Sequence, residues 1–372
     1  MLTVILATGG TGGHIFPALA VANKLKDLFK ENIKIVFIGG RYGQEKRLFP
    51  MDEYECFLLP VKGIAGKGIK TIINSFLVLY SMITCYKILR KLKPDIVVGF
   101  GSYASFVPVY LATKMNIPTC IHEQNSYPGI TNRILGKRVD KIFLSFPDEF
   151  GIFDMSKTEV VGNPVREEIL NAAKEDHSHI DGGNKKINLL VVGGSQGAKA
   201  INDGVLSSLP ILKKMGVKIH HQTGEIDFSR VLKGYNDNKM QGCIVEPFIK
   251  DMASAYKWAD LVVCRAGAST IFELAVMGKP SILIPYPYAA KDHQKVNASY
   301  LERAGGALVL EQSMLETKSL GNIVADVVSI PGKLKDMARG ARSVAKPRAT
   351  DDLVNGILKL VRQKKEIAYE KD

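Results

Sequence analysis

Residues 259–287, ADLVVCRAGASTIFELAVMGKPSILIPYP, carry the pattern from which the fold is assigned. The pattern predicts a buried strand over Leu261–Cys264, a glycine turn, a short helix and a second strand over Ser281–Ile284. A strand that runs through glycine into a helix points backbone N–H groups and the positive end of the helix dipole outward, which suits phosphate. Glu273 follows about one turn later, where its carboxylate fits a sugar diol. Taken alone, this turn is better interpreted as a helix start whose Glu the dipole favours.

Two further apolar runs lead into glycines and then into a helical pattern. Leu2–Ala7 precedes GGTGGH (residues 9–14), and Ile187–Val192 precedes GGSQGA (residues 193–198). Each pattern is typical of a nucleotide-binding βαβ unit. Neither reads G-x-G-x-x-G, no acidic residue ends the strand after the first turn, and no Gly-Lys-Ser/Thr follows either turn. Nicotinamide, flavin and Walker-type phosphate binding are therefore disfavoured.

Composition indicates an intracellular globular protein. The 372 residues allow two domains, and 46% hydrophobic with 23% charged residues is ordinary for globular chains. Five scattered cysteines without C-x-x-C spacing argue against a disulfide framework and against zinc. Met1 leads straight into the first strand, so we expect no signal peptide. The net charge of +13 points to a polyanionic partner.

Strands alternate with helical periods along most of the chain, which predicts parallel sheets covered on both faces and two doubly wound α/β domains. A polar stretch over residues 171–186 is expected to be a domain junction or a loop. The expected strands are near residues 2–7, 34–39, 96–99, 119–122, 141–144, 158–161, 187–192, 218–222, 243–245, 261–264, 281–284 and 307–310.

The basic residues concentrate in Lys62–Lys93, which contains no acidic residue and encloses an apolar run over residues 69–86. Polar residues interrupt this run, so lying at a membrane surface is favoured over crossing the bilayer. A core helix with solvated lysines is the alternative. Nucleic acid is disfavoured as the partner, because no aromatic and basic interleaving and no zinc-finger pattern is present. The basic residues are Lys62, Lys67, Lys70, Lys87, Arg90, Lys91 and Lys93.

Three residues are candidates for acid–base catalysis. His14 lies in the first turn after the glycine loop, where the dipole favours the neutral, proton-accepting form, although a helix cap is an alternative. His122 and Glu123 lie at the carboxyl end of a buried strand, where open α/β sheets bind ligands. A structural role for His122 in a loop contact is equally consistent with its position.

Two further segments carry groups suited to a nucleotide sugar. Arg166 ends the segment GNPVR, and arginine is a natural partner of a diphosphate. The segment Lys291–Gln294 follows a tyrosine-rich turn and offers hydrogen-bonding groups to a sugar.

Seven motifs occur in order along nearly the whole chain: GGTGGHIFPALA, GSYAS, HEQNSYPGITNR, GNPVR, GGSQGA, RAGASTIFELAVMGKP and KDHQ. Together they resemble the MurG family of cell-wall glycosyltransferases. The resemblance implies two Rossmann-like doubly wound domains facing a cleft, the GT-B arrangement. It also implies an acceptor- and membrane-binding domain over residues 1–163, a donor domain over residues 164–346, and a final helix, about 347–372, that packs back on the first.

The activity implied by the resemblance is inverting transfer of N-acetylglucosamine from UDP-N-acetylglucosamine to undecaprenyl-pyrophosphoryl-N-acetylmuramoyl-pentapeptide (lipid I), giving lipid II for peptidoglycan. UDP-N-acetylglucosamine 2-epimerase or another UDP-sugar lipid glycosyltransferase is the alternative. No metal and no cofactor is expected. The expected location is peripheral, at the cytoplasmic face of the inner membrane, in contact with anionic lipid.

The resemblance also implies roles for individual residues. Ser195 and Arg166 would meet the diphosphate, Glu273 the ribose, the backbone of Ile249 the uracil, and Gln294 and Asn125 the sugar. The remaining donor-binding candidates are Gln196, Arg265, Ala268, Ser269 and Thr270, together with Thr11, Gly12 and Gly13 of the first glycine loop. The acceptor-binding candidates are Gly10, Thr11, Gly12, His14, Tyr103 and Asn132. Lys295 stands where the family often has a second Gln, which affects recognition of the sugar hydroxyls.

Overall fold

The structure is a computed structural model that describes residues 1–43, 45–61, 69–175, 186–194 and 196–369. The chain forms two compact units, one of Met1–Arg166 with Pro347–Asp372 and the other of Glu167–Lys346. The structure differs from the expected junction at residues 171–186. Residues 171–175 are helical, residues 176–185 lie outside the described residues, and the division between the units falls after Arg166.

The first unit is built on a parallel sheet of seven strands. They are β1 (Leu2–Ala7), β2 (Ile33–Gly40), β3 (Glu55–Leu59), β4 (Ile96–Gly99), β5 (Thr119–Glu123), β6 (Lys141–Leu144) and β7 (Thr158–Val160). Their spatial order is β3-β2-β1-β4-β5-β6-β7. The helices that connect them are α1 (Gly12–Phe29), α2 (Glu45–Leu48), α3 (Ile69–Leu92), α4 (Ser102–Lys114) and α5 (Ile130–Leu135).

Strand β3, which was not among the strands expected from the sequence, pairs with β2 at the edge of this sheet. Only Leu59 of its five residues is buried, and Glu55 is exposed. An edge strand that packs on one side lacks the continuous apolar run by which the central strands are recognised.

The second unit is built on a parallel sheet of six strands. They are β8 (Asn188–Val192), β9 (Lys218–Gln222), β10 (Ile244–Glu246), β11 (Leu261–Cys264), β12 (Ser281–Leu283) and β13 (Ala307–Val309), in the spatial order β10-β9-β8-β11-β12-β13. The first four helices are α6 (Glu167–Glu175), α7 (Lys199–Lys214), α8 (Phe228–Asp237) and α9 (Met252–Trp258). The next four are α10 (Ala268–Met277), α11 (His293–Arg303), α12 (Leu320–Ser329) and α13 (Lys333–Ser343).

The last helix, α14 (Ala349–Tyr369), packs on the first unit. Val4 and Leu6 of β1 join the core that contains α1 and α14, whereas Ile5 and Ala7 join the core on the opposite face, with α3 and α4. A strand buried on both faces requires apolar residues at every position, which explains the unbroken run in β1. The buried residues of α14 recur at helical spacing: Ala349, Leu353, Val354, Ile357, Leu360 and Val361.

Each sheet reverses its strand order at one point, between β1 and β4 in the first unit and between β8 and β11 in the second. Open α/β sheets bind ligands beyond the carboxyl ends of the strands at such a switch point. The first glycine loop follows β1, and the other two glycine turns follow β8 and β11. The fold therefore gathers the three glycine turns at the two switch points.

Helix α3 has one buried and one exposed face over the residues whose side chains are described. Cys85 and Leu89 lie in the core, whereas four large apolar side chains are exposed: Leu79, Tyr80, Ile83 and Tyr86. Lys87, Arg90 and Lys91 are exposed at its carboxyl end. Lys62 and Lys67 lie outside the described residues. In the part of the chain that the structure describes, no helix is long and apolar enough to cross a bilayer.

Candidate active site

The first glycine loop passes from β1 into α1 at the switch point of the first sheet. Gly10 has a φ of 84°, a conformation that a residue with a Cβ adopts only with strain. Thr11 is the N-cap residue of α1, is exposed, and makes no side-chain cap within the described residues. Gly12 and Gly13 begin the helix, and its first turn contains no acidic residue. This loop is therefore electrostatically suited to an anion.

His14 is held against the next loop of the same switch point. Its Nδ1 lies 2.7 Å from Oε1 of Gln124, which follows β5. Gly101, at the N-cap of α4, has a φ of 82°, and a Cβ there would approach within 3.2 Å of the His14 Nδ1. The backbone at Gly101 therefore packs directly against the imidazole. His14 itself is half-buried.

His122 is completely buried at the end of β5. Its Nε2 lies 3.0 Å from the carbonyl oxygen of Gly162, and its Nδ1 lies 3.1 Å from Nε2 of Gln124. Burial lowers the pKa of His122 to about 4, so the ring is neutral near pH 7. A neutral ring with both nitrogens hydrogen-bonded to the protein is a structural element rather than an accessible base.

Glu123 is also buried and holds the loop that follows it. Its Oε1 accepts hydrogen bonds from the backbone N–H of Asn125 (2.9 Å), and its Oε2 accepts from Gly129 N–H (3.0 Å) and Asn132 Nδ2 (2.9 Å). A carboxylate that accepts from several donors stabilises the loop conformation. Asn132 is buried, and its Oδ1 has no partner among the described residues. Of the three catalytic candidates, the geometry thus favours His14.

Glu45 was not singled out in the sequence and lies beneath the same glycine loop. It is fully buried, and its Oε1 accepts from the N–H groups of Gly10 (2.9 Å) and Gly40 (3.0 Å). Tyr103, predicted to bind acceptor, is half-buried nearby, and burial followed by the charge of Glu45 raises the pKa of its phenol. Glu45 therefore supports the loop conformation.

Arg166 ends the first unit, where its guanidinium lies 5.4 Å from the ring centre of Phe16 in α1. Phe16 follows His14 by two positions in α1, so Arg166 lies next to the first turns of the helix that the glycine loop opens. A guanidinium at this position adds positive charge to the helix N-terminus.

In the second unit, the donor candidates follow β8, β10, β11 and β12, and β9 lies between β8 and β10 in the sheet. Val192 of β8 pairs with Cys264 of β11 and with Gln222 of β9, and Gln222 pairs with Glu246 of β10. Ser195 lies outside the described residues, and Gln196 next to it is exposed. The loop backbone is tightly packed, because a Cβ on Gly197 would clash with the carbonyl oxygen of Thr223.

The turn after β11 opens α10. Gly267 is its N-cap residue, Ala268 is buried, and Ser269 and Thr270 are half-buried at the helix start. Glu273 is buried, and its Oε2 accepts a hydrogen bond of 3.0 Å from the Tyr256 hydroxyl of α9. The tyrosine thus orients the carboxylate that was predicted to bind ribose.

Arg265 makes contacts that hold the loop after β12. One terminal nitrogen of its guanidinium donates to the carbonyl oxygens of Ile284 (3.0 Å) and Pro285 (3.2 Å), and the other donates to Gln312 (2.7 Å). Burial lowers the pKa of the guanidinium, and Tyr286 packs over it at 5.4 Å. These contacts tie Arg265 to the loop after β12, and its role in donor binding stays a prediction.

The Ile249 N–H donates to Oε1 of Gln222 (2.9 Å), whose Nε2 donates to the carbonyl oxygen of Gly194 (2.9 Å). A uracil bound through this N–H would have to share or displace the Gln222 oxygen. Gln222 was missed in the sequence analysis, although a polar residue at the end of the buried strand β9 is the signal that could have identified it. Tyr256 gave no such signal, because its contact to α10 is tertiary.

Gln294 and Lys295 lie at the start of α11. The Gln294 Oε1 accepts a hydrogen bond from the backbone N–H of Tyr286 (2.9 Å), and Lys295 pairs with the exposed Glu311. Lys291 and Asp292 before them have φ angles of 54° and 52°, which are strained for residues with a Cβ. Among the described residues, no group of three or more His, Cys, Asp or Glu is placed to hold a metal ion.

Two family models match the chain. The glycosyltransferase family 28 N-terminal domain matches residues 4–144, and the glycosyltransferase family 28 C-terminal domain matches residues 188–368. A curated relative from Nitratidesulfovibrio vulgaris (strain DP4) is 44% identical over 368 residues, 97% of this chain and 98% of the relative. It is named UDP-N-acetylglucosamine--N-acetylmuramyl-(pentapeptide) pyrophosphoryl-undecaprenol N-acetylglucosamine transferase.

The crystal structure of Acinetobacter baumannii MurG is similar, with a TM-score of 0.77 and 32% identity, covering 96% of this chain and 100% of that one. UDP-GlcNAc 2-epimerase from Neisseria meningitidis bound to UDP-GlcNAc has a TM-score of 0.66 at 14% identity, covering 96% of this chain and 100% of that one. At that identity the second likeness shows the fold alone. The predicted fold class, two Rossmann-like doubly wound domains of the GT-B type, is confirmed. The chain belongs to glycosyltransferase family 28 and, within it, to the MurG family.

Proposed function

We propose that this chain transfers N-acetylglucosamine from UDP-N-acetylglucosamine to undecaprenyl-pyrophosphoryl-N-acetylmuramoyl-pentapeptide (lipid I), giving lipid II for peptidoglycan synthesis. The observation that carries the proposal is the pair of switch points. One places His14 beside a glycine loop suited to an anion, and the other places Glu273 beside a second set of glycine turns. The 44% identity to a relative named for this reaction supports the choice of substrates.

The second unit holds the donor. The N-termini of α7 and α10 begin without an acidic residue in their first turns, which favours the diphosphate at that edge of the sheet. Glu273 accepts hydrogen bonds from the ribose hydroxyls, and Tyr256 keeps its carboxylate in position. The segment at Ile249 binds the uracil, and Gln294 binds the sugar. Ser195 and Gln196 act on the diphosphate, and Arg166, the last residue of the first unit before the division, is proposed to act on it as well.

The first unit supplies the base. His14 takes the proton of the acceptor hydroxyl at O4 as that oxygen bonds to C1 of N-acetylglucosamine, and the bond between C1 and UDP breaks with its electron pair leaving on UDP. A single displacement inverts C1, so the product carries a β-1,4 linkage. The glycine loop over residues 10–13 faces the acceptor pyrophosphate, with Tyr103, Asn125 and Asn132 beside it. We expect no metal requirement, so EDTA leaves the rate unchanged.

Helix α3 supplies the contact to the membrane. Its exposed apolar face, Leu79, Tyr80, Ile83 and Tyr86, is flanked by Lys87, Arg90 and Lys91. An apolar face with basic residues at its margin binds an interface rich in anionic lipid. The enzyme is then peripheral to the cytoplasmic face of the inner membrane, where its polyprenyl-linked acceptor is anchored.

The test is product analysis. The purified chain is incubated with radiolabelled UDP-N-acetylglucosamine and a short-chain lipid I analogue, and the lipid and water-soluble products are separated. We expect label in a lipid-linked disaccharide, and none without acceptor. Epimerised sugar without a glycolipid product would assign the chain to the 2-epimerase reaction instead. Tight UDP-sugar binding without any turnover would make it a binding protein.

A further inference from the structure

A line of three buried or half-buried side chains connects the backbone to the proposed base. The Gly162 carbonyl oxygen lies 3.0 Å from Nε2 of His122, and Nδ1 of His122 lies 3.1 Å from Nε2 of Gln124. The Oε1 of Gln124 lies 2.7 Å from Nδ1 of His14. All of these groups belong to the first unit.

The direction of every hydrogen bond in this line follows from its buried end. A carbonyl oxygen only accepts, so Nε2 of His122 carries a hydrogen. The Ser145 hydroxyl, 3.3 Å from the same nitrogen, is the longer contact and is compatible with this direction. Because burial keeps His122 neutral near pH 7, its Nδ1 has no hydrogen and must accept.

The amide of Gln124 is oriented by that requirement. Only its NH₂ group donates, so Nε2 faces Nδ1 of His122 and also lies 3.1 Å from the His122 carbonyl oxygen. The amide oxygen therefore faces His14. Since an amide oxygen only accepts, Nδ1 of His14 carries the hydrogen, and the neutral ring has its lone pair on Nε2. Among the described residues, none hydrogen-bonds to that Nε2.

We propose that Gln124 is a positioning residue, which keeps the hydrogen of neutral His14 on Nδ1 and so leaves Nε2 as the nitrogen that accepts the proton of the acceptor hydroxyl. The part of this inference that concerns the reaction rests on the proposed function. The part that concerns the tautomer of His14 does not. When Nε2 takes the proton, His14 becomes an imidazolium that still donates from Nδ1 to the amide oxygen. No proton moves through Gln124 or His122, and the rest of the line stays as it was.

The tautomer is measured directly on the full chain without substrate. Long-range ¹H–¹⁵N correlation spectra of histidine-labelled protein, recorded where His14 is neutral and with its signal assigned by loss in His14→Ala, distinguish pyrrole-type from pyridine-type nitrogens. We expect a pyrrole-type Nδ1 and a pyridine-type Nε2. A wild-type protein with the hydrogen on Nε2 overturns the proposal, even if no variant can be purified.

Gln124→Met keeps the side-chain length and removes both polar ends. We expect His14 to become a mixture of tautomers, so that only part of the protein has the lone pair on Nε2. The kcat should then fall several-fold, up to about 10-fold, which is less than the loss of about 10²–10⁴ on removal of a general base. The UDP dissociation constant should stay unchanged, because Gln124 is not among the residues proposed to bind UDP. The matched control is Ser145→Ala. It removes the hydroxyl near Nε2 of His122 but none of the hydrogen bonds between His122, Gln124 and His14, so it should change neither the tautomer of His14 nor kcat.

Two results on the variant also overturn the proposal. One is a folded Gln124→Met protein whose His14 stays wholly in the Nδ1–H form. The other is a change of tautomer without any fall in kcat, which would show that Gln124 does not position the base for the reaction. If the wild-type spectrum is as expected but the protein transfers no sugar, the proposed function is refuted, whereas the inference on the tautomer of His14 is still supported.

Discussion

Replacement of Glu273 by glutamine tests the donor site with the smallest change of shape. Glu273→Gln keeps the length and volume of the side chain and removes its charge. The Tyr256 hydroxyl, 3.0 Å from the carboxylate in the native protein, can donate to the amide oxygen as well, so the contact between α9 and α10 is retained. Because this contact is retained, we expect the variant to fold.

The size of the loss in UDP affinity follows from the hydrogen bonds whose acceptor changes from a charged carboxylate to a neutral amide. A hydrogen bond to a charged group contributes about 1.5–3 kcal/mol and a neutral one about 0.5–1.5 kcal/mol. The loss is thus about 1–1.5 kcal/mol for each ribose hydroxyl, which is close to 10-fold in affinity. With one or two hydroxyls bound, UDP affinity should fall by about 10- to 100-fold, and the KM for the donor should rise accordingly.

Isothermal titration of UDP into wild-type and variant proteins measures this difference. Tyr256→Phe is the matched control, because it removes the hydroxyl that orients Glu273 and leaves the charge, so UDP affinity should fall less than in Glu273→Gln. A folded Glu273→Gln protein that binds UDP within about threefold of wild type would refute the reasoning. Glu273 would then be a buried residue favoured by the helix dipole.

Two further predictions concern stability and membrane contact. The pKa of His122 is about 4 in the folded state and about 6.5 in the unfolded state. The free energy of unfolding should therefore fall by about 3 kcal/mol as the pH is lowered from above 6.5 towards 4, because the unfolded state binds the proton first. Urea unfolding at pH 7 and pH 4.5 should show this loss, and an equal loss in His122→Gln would contradict it. Reversing the three charges Lys87, Arg90 and Lys91 to Glu should weaken binding to anionic vesicles by about 100-fold or more, since each contributes about 1 kcal/mol, and high salt should act likewise. If neither charge reversal nor high salt changes vesicle binding, α3 is an ordinary core helix and not a membrane contact. The control substitutions are Lys333→Glu and Lys335→Glu in α13.

Local sequence patterns were sufficient to predict the central strands and the glycine turns that follow them. The strands β1, β8 and β11 are buried on both faces and are followed by glycine turns, so their positions follow from the sequence. The edge strand β3 was missed because it packs on one side only. The polar residues 171–175 continue α6, whose apolar face is short.

The roles within the site depend on contacts that no local pattern contains. Glu123 ends β5 as predicted, but its carboxylate accepts from Asn125, Gly129 and Asn132, which the loop brings back only in the folded chain. Arg265 likewise follows β11 as predicted, but its guanidinium donates to backbone carbonyls of the next loop. Residue type and position identified the edge of the sheet, whereas the hydrogen-bond partners of each group depend on tertiary contacts.

The rate of single-site variants with saturating donor and lipid I analogue tests the assignment of His14 most directly. His14→Ala should lower kcat by about 10²–10⁴, while the UDP dissociation constant, measured by titration on the same preparation, stays that of wild type. A His14→Ala protein that keeps most of its kcat, when Glu123→Gln or His122→Ala does not, would contradict the assignment and move the base to the carboxyl end of β5.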